Sequence, residues 1–244
     1  MQDTYSIFMN TIIPDQLKEG GVILIDKPYR WTSFDVVHKL RKPVGAKKIG
    51  HAGTLDPLAT GLLICCSGAY TKKINEYQSL PKEYTGIIHL GAVTPTYDLE
   101  SEPEQQQPFA HITGEQLTEA TKKFTGPILQ TPPAHSAIKK DGKRAYELAR
   151  AGKEVDLKAR PVTISTFELT KIELPEVHFR VTCSTGTYIR SLAHDFGQEL
   201  GCGAYLQELR RTKIGDYKVE DAWSITEFLE LLSKAKEAEA KNAD

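Results

Sequence analysis

Asp56 is the residue of this sequence best placed to do chemistry. It lies in the run Gly50-His51-Ala52-Gly53-Thr54-Leu55-Asp56-Pro57-Leu58-Ala59-Thr60-Gly61-Leu62-Leu63, which joins three glycines, a proline-restricted acid and an apolar segment. Gly50, Gly53 and Gly61 can take positive φ or let another backbone come close, so the run reads as a shaped loop. Pro57 disfavours the α region for Asp56, which holds the acid extended and places Pro57 at the first position of a short helical turn. Two roles are open to such a carboxylate. It can cap the turn by accepting the N–H of Leu58 or Ala59, or it can present a fixed, ionised group to a substrate. The residues alone leave both open, because a cap also keeps the acid charged and rigid.

Two basic segments accompany the loop. Lys39, Arg41, Lys42, Lys47 and Lys48 fall between 39 and 48 without an acid. From Lys139 to Arg160 eight basic residues (Lys139, Lys140, Lys143, Arg144, Arg150, Lys153, Lys158 and Arg160) face four acids, a local charge of +4 in a chain whose total is −1. Each segment is either a solvated face or a place where phosphates release their counterions.

The elements that must position these residues follow from periodicity. Val22 to Ile25 is a continuous apolar run, read as a buried strand that Asp26-Lys27-Pro28 ends. A helix follows, capped by Thr32 or Ser33, with Asp35 in its first turn and Val36, Val37 and Leu40 on one stripe. Leu62 to Cys66 is a second buried strand, and Tyr70, Ile74 and Tyr77 mark a short helix. In the strand Tyr84 to Leu90, residues Tyr84, Gly86, Ile88 and Leu90 share a face. Thr113 and Gln116 form a capping box for a helix carrying Leu117, Ala120 and Phe124, closed by Gly126-Pro127. The apolar alternation of Val162 to Leu174 slips phase twice, which predicts a bulged or divided strand. His178 to Ser184 alternates with Phe179, Val181 and Cys183 inward, and Ser184-Thr185-Gly186-Thr187 leads into a helix carrying Ile189, Leu192, Phe196 and Leu200, ended by Gly201. Ser224 and Glu227 cap a last helix carrying Ile225, Phe228, Leu229 and Leu232, and the Lys/Glu/Ala-rich tail after Ser233 is expected to fray. Strands outnumber helices without regular alternation, so the fold class is α+β rather than a doubly wound sheet.

Composition sets the outer bounds. A chain of 244 residues that is 40% hydrophobic can bury a substantial core. Cys65, Cys66, Cys183 and Cys202 contain no C-x-x-C pair, which argues against a metal or disulfide framework and for a reduced compartment. No secretory leader and no apolar run of about 20 residues is seen. The expectation is a cytoplasmic protein with no membrane association.

The loop around Asp56 resembles the catalytic motif of the TruB family of tRNA pseudouridine synthases, with every fixed position of G-H-x-G-x-L-D-P-x-A-T-G-x-L present. Five further stretches share the resemblance. Asp26-Lys27-Pro28-Tyr29-Arg30-Trp31-Thr32-Ser33 is similar to the D-K-P-x-G-x-T-S element, with Arg30 where glycine is usual. Lys82-Glu83-Tyr84 is similar to a second motif. Pro132-Pro133-Ala134-His135-Ser136-Ala137-Ile138-Lys139, with Gly142 and Arg144-Ala145-Tyr146-Glu147, is similar to an RNA-gripping insertion, with His135 in place of tyrosine. Gly186-Thr187-Tyr188-Ile189-Arg190 is the G-T-Y-I-R motif unchanged, and Leu209-Arg210-Arg211-Thr212 follows it. The resemblance spans about residues 21 to 225.

The resemblance implies the pseudouridine synthase fold, a largely antiparallel, bent mixed sheet with flanking helices and an RNA-binding insertion. It implies one catalytic domain over 1–232 with the insertion at about 131–160, a frayed tail over 233–244 and no PUA domain. The implied activity converts uridine 55 of the tRNA T-loop to pseudouridine by flipping the base out. Asp56 would be the nucleophile, Arg190 its ion-pair partner and Tyr84 the ring that stacks on the flipped base. His51 would fill part of the space left, Tyr188 and Leu209 would line the base pocket, and Lys27, Lys139, Lys140 and Arg144 would contact substrate. The acidic linker Asp98, Glu100, Glu102 and Glu104 would face away from RNA. The partner is tRNA through its T-stem-loop, and the expectation is a monomer that needs no cofactor, metal or protein partner. A non-catalytic tRNA-binding or folding protein is one rival, and retention of Asp56, Tyr84 and Arg190 together argues against it. A synthase of the same fold that modifies another RNA is a second, and the basic insertion favours tRNA.

Overall fold

The computed structural model describes residues 13–136, 138–140, 142–152 and 156–242, without the side chains of 139, 140, 143, 144, 146, 149, 150 and 242. In chain order the elements are α1 (Pro14–Glu19), β1 (Gly20–Lys27), α2 (Ser33–Val44), β2 (Ile49–His51), β3 (Thr60–Gly68), a 3-10 turn (Ala69–Lys73), α3 (Ile74–Ser79), β4 (Lys82–Leu90), α4 (Gly114–Lys123) and β5 (Gly126–Gln130). Then come β6 (Lys139–Lys140), β7 (Lys143–Arg144), α5 (Ala145–Arg150), β8 (Arg160–Glu173), β9 (Glu176–Cys183), α6 (Ile189–Glu199), β10 (Ala204–Ile214), β11 (Tyr217–Lys218), a 3-10 turn (Val219–Asp221) and α7 (Ile225–Asn242). The chain forms two compact units, one of residues 1–82 and 210–244, the other of 83–209.

The first unit is built on β3. Along one edge it pairs antiparallel with β1, from Gly20 opposite Gly68 to Lys27 opposite Gly61. Its other edge is shared, with Cys65, Cys66 and Ser67 pairing antiparallel with β2 and Thr60 and Gly61 pairing parallel with Arg210 and Arg211 of β10. Both faces of this mixed sheet are covered. Ile23, Ile25, Leu63 and Cys65 pack with Val36, Val37 and Leu40 of α2 and Phe228 and Leu232 of α7. The alternate residues Val22, Leu24, Leu62, Ile64 and Cys66 pack with Tyr77, Ile214 and Val219. Covering on both sides is why these strands are continuous apolar runs, and each fully buried Leu, Ile or Val contributes about 1.5–3 kcal/mol. All four cysteines are buried free thiols. Burial pushes the thiol of Cys66 up to about 12, so it packs as a small apolar group.

In the second unit the sheet order is β10, β4, β9, β8, β5, with β9–β8 and β8–β5 antiparallel. The two slips expected in β8 are present as register shifts between Ile164 and Thr166 and between Leu169 and Lys171. Phe179, Val181 and Cys183 are buried, and Phe167 of β8 lies edge to face against Phe196 of α6.

Local capping agrees with the sequence at three helices. Thr32 and Asp35 close a reciprocal box on α2, Thr113 and Gln116 one on α4, and Ser224 and Glu227 exchange bonds at the start of α7. The tail differs from expectation. Rather than fraying after Ser233, α7 runs to Asn242, and Lys236 Nζ donates to the carbonyl of Pro43 at 2.5 Å. Among the described residues no helix is long and apolar enough to cross a membrane.

Candidate active site

Asp56 stands in the connection between β2 and β3. Ala52 N–H donates to the Ile64 carbonyl at 2.9 Å, closing the base of the loop, and Ala59 N–H donates to the Asp56 carbonyl at 3.1 Å. The expected helical turn at Pro57 is thus a single turn, after which the chain enters β3 directly. Gly61 has no room for a side chain. At φ 103° an added Cβ would lie 2.3 Å from the carbonyl oxygen of Arg211, on the neighbouring strand.

Three side chains hold the loop on either side of Asp56. The hydroxyl of buried Ser33, the first residue of α2, accepts the N–H of Leu55 at 2.9 Å and donates to the Leu55 carbonyl at 3.2 Å. Lys27, at the end of β1, donates to the carbonyls of Trp31 at 2.6 Å, Pro28 at 3.1 Å and Pro57 at 3.3 Å. Pro57 also accepts the N–H of Arg30 at 2.9 Å. Arg211 donates through Nε to the Leu62 carbonyl at 2.8 Å and through Nη2 to the Gly53 carbonyl at 3.1 Å. The residues before and after Asp56 are therefore both fixed, and the half-buried carboxylate projects from a backbone with little freedom.

Lys27 corrects an expectation drawn from the resemblance. It was expected to touch substrate, yet it is 0% exposed and its ammonium is turned onto backbone carbonyls, so it acts as a strut of the loop. Burial is the main reason its pKa falls to about 8, opposed by the negative charge of Asp56. Arg211, 1% exposed, is a second buried cation in this unit. His51, half-buried at the end of β2, has its pKa lowered first by burial and then by the charge of Arg211, which favours a neutral imidazole. Arg210 and Asp26 make a bidentate pair at 3.0 and 2.7 Å, tying β10 to β1.

The second unit holds the remaining expected residues. Tyr84 is buried on β4 and Leu209 half-buried on β10. Tyr188 is the N-cap residue of α6, and Gln130 clasps its backbone, accepting the N–H at 2.8 Å and donating to the carbonyl at 3.0 Å. Arg190, in the first turn of α6, is 5% exposed. Its guanidinium donates to the carbonyl of Thr96 at 3.1 Å and to that of His135 at 3.0 Å, with Nε 3.6 Å from a carboxylate oxygen of Asp98. The contact from residue 135 to Arg190 is through the backbone carbonyl, which any residue supplies.

Asp98 was missed. Its carboxylate looked like the first charge of an acidic linker, but it is buried beside Arg190. Nearby, Thr96 Oγ1 donates to the Asp98 carbonyl at 3.0 Å, Leu206 N–H donates to the Tyr97 carbonyl at 2.9 Å, and the Tyr97 ring stacks on His194 with centroids 3.9 Å apart. The signal available in sequence was Thr94-Pro95-Thr96-Tyr97-Asp98, a turn-rich stretch unlike the plain Glu-rich segment after it. In the insertion, the backbone of Lys139 and Lys140 pairs with that of Arg144 and Lys143. The side chains of Lys139, Lys140 and Arg144 lie outside the described residues.

Comparison with known proteins places the chain in a family. Residues 41–189 match the family described as TruB family pseudouridylate synthase (N terminal domain), and residues 190–243 match the tRNA pseudouridylate synthase B C-terminal domain. The chain is 55% identical over 226 residues to tRNA pseudouridine synthase B of Flavobacterium johnsoniae, covering 90% of this chain and 99% of that protein. It is 51% identical to the protein of that name from Phocaeicola vulgatus, covering 92% and 98%. Among solved structures it is similar to a chain of a Cbf5-Nop10-Gar1 complex, with a TM-score of 0.70 and 30% identity over 90% of this chain. A chain of an H/ACA RNP bound to a substrate RNA containing 2'-deoxyuridine gives the same TM-score at 28% identity over 93%. The present chain spans 56% and 57% of the lengths of those two chains. The mixed sheet with flanking helices is thus a pseudouridine synthase fold, and the molecule is an isomerase of uridine in RNA. The chain belongs to the TruB family.

Proposed function

We propose that this protein converts uridine to pseudouridine in the T-loop of tRNA, at the position conventionally numbered 55, with the carboxylate of Asp56 as the attacking group. The observation that carries the chemical part of this reading is the immobilised loop, in which Arg211, Ser33 and Lys27 hold Gly53, Leu55 and Pro57 around the acid. An acid that only capped a turn would need no such frame. The substrate part rests on the relatives named tRNA pseudouridine synthase B at 51–55% identity along nearly their whole length.

The reaction is an isomerisation. The N1–C1′ bond breaks, the uracil turns, a C5–C1′ bond forms, C5 loses its proton and N1 gains one, so no atom enters or leaves overall. A stacked base cannot be reached, so the nucleotide is extruded, and Tyr84, Tyr188 and Leu209 receive it while His51, kept neutral, occupies space in the loop. In this reading Arg190 orients the Asp56 carboxylate, and Lys139, Lys140 and Arg144 hold the phosphates of the hairpin.

The test is single-turnover pseudouridine formation on tRNA by wild type and by Asp56→Asn, with the position mapped and a thermal melt and binding curve taken for both. Asparagine keeps the size and much of the capping capacity of aspartate but is no nucleophile. The expected result is product at position 55 with wild type and background rate with the variant, at unchanged Tm and affinity. Normal turnover by Asp56→Asn would overturn the assignment of the nucleophile, and product at another uridine would overturn that of the site.

A further inference from the structure

The turn that follows β1 has a feature that the strut role of Lys27 does not explain. Arg30 sits at φ 65°, a left-handed conformation that glycine takes freely and a side chain takes only against strain. The fold would be easier with glycine there, yet an arginine is present. Its guanidinium lies 5.5 Å from the centre of the Tyr29 ring. Arg30, Trp31, Asp35, His38 and Lys39 together line an open cavity of about 350 Å³.

The chemistry of this face suits an unpaired stretch of nucleic acid. Phe34 is 62% exposed and Tyr29 51% exposed, two flat rings in water on one short segment, with Phe34 stacked near His38. Exposed rings interleaved with cations are what single strands use, the rings taking bases and the cations phosphates. Among the described residues Asp35 is the one acid in the lining. Both the N–H and the hydroxyl of Thr32 occupy its carboxylate, at 2.8 and 2.6 Å, which directs its charge to the start of α2. Beyond Lys39, the charges of Arg41, Lys42, Lys47 and Lys48 continue the positive field without an acid. The face is also coupled to the loop of Asp56, because the N–H of Arg30 binds the carbonyl of Pro57, the next residue.

We propose that Tyr29, Arg30, Phe34, His38 and Lys39 form an RNA contact beside the target nucleotide, in which a base lies against the exposed ring of Phe34 or Tyr29 and Arg30 and Lys39 hold a phosphate. This rests on the reading of the protein as an enzyme that acts on tRNA. Arg30 is then the residue for which the turn keeps its strained backbone.

Arg30→Gly gives a test that unfolding cannot imitate, since it relieves strain. Filter binding of full-length tRNA is measured from 50 to 200 mM salt for wild type, Arg30→Gly and Phe34→Ala, with thermal melts of all three. The expected results are a Tm for Arg30→Gly at or above wild type, weaker binding, and a slope of log K against log salt lower by about one. For Phe34→Ala, an exposed position, Tm is unchanged and affinity falls at least about fivefold, with the slope kept because no charge is lost. Wild-type affinity and slope in both variants would overturn the proposal, as would a wild-type protein that does not bind tRNA. If wild type binds tRNA with this dependence on Arg30 and Phe34 but makes no pseudouridine, the contact stands and the catalytic reading falls. If wild type makes pseudouridine and the variants bind as it does, the reverse holds.

Discussion

Lys27→Met separates a strut from a substrate ligand. Methionine keeps nearly the same length and removes the ammonium, so the carbonyls of Trp31, Pro28 and Pro57 lose a donor now at 2.6, 3.1 and 3.3 Å. A buried carbonyl without a partner costs about 1–3 kcal/mol, which makes the gross loss roughly 3 kcal/mol or more. Two effects offset it. Pro57 keeps the bond from Arg30, and the variant no longer holds a charge out of water, a cost visible in the lowering of the Lys27 pKa from 10.5 to about 8. The net is about 2 kcal/mol, and for a chain of this size Tm should fall by roughly 4–8 °C. With Pro57 less firmly held, the single-turnover rate should fall by about tenfold or more, because misplacing a reacting group by an ångström is costly. The affinity for tRNA and its salt slope should not change. The pH dependence has a definite sign as well. The folded pKa lies below the unfolded one, so between about pH 8 and 10.5 the unfolded chain binds more protons and this lysine makes stability rise with pH. Lys27→Met lacks that rise, and the gap in Tm between the two proteins should widen across that window. The decisive assays are thermal melts from pH 7 to 10 beside single-turnover kinetics and a salt titration of binding. An unchanged Tm with weaker binding and a slope lower by about one would refute the strut and restore Lys27 as a phosphate ligand.

Asp98→Asn should destabilise the protein by about 2–4 kcal/mol in a urea melt, because it leaves the buried guanidinium of Arg190 without the carboxylate 3.6 Å away, while the amide oxygen can still accept the N–H of Glu100. A melt like that of wild type would show that this charge pair contributes nothing. Arg190→Lys keeps the charge but cannot reach the carbonyls of Thr96 and His135 with one planar fork, so the single-turnover rate should fall at least about a hundredfold at nearly unchanged tRNA affinity. Turnover at the wild-type rate would remove any need for the fork.

What the sequence determined by itself is what a few neighbouring residues decide. Thr32 with Asp35, Thr113 with Gln116 and Ser224 with Glu227 announce their helices because both halves of a capping box lie within one turn. The double slip of β8 was visible because the side chains of a strand alternate with a period of two, and any break in that period must be absorbed by the backbone. The acid at 56 was visible because Pro57 and the glycines restrict its backbone locally. The tertiary structure decided which charges are buried and what they bind. Lys27 reads in sequence as a substrate ligand and Asp98 as a solvated charge of an acidic linker, and their long-range contacts reverse both. Lys27 meets a carbonyl of the loop thirty residues on, while Asp98 meets a guanidinium from another element of its unit. Ser33 is the same case, since its hydroxyl serves Leu55 across 22 residues instead of capping its own helix. A polar side chain can leave water only if a partner satisfies it. For these residues the partner comes from a distant part of the chain, so burial, and with it the role of each group, follows from the packing of strands and loops and leaves no periodic trace in the sequence.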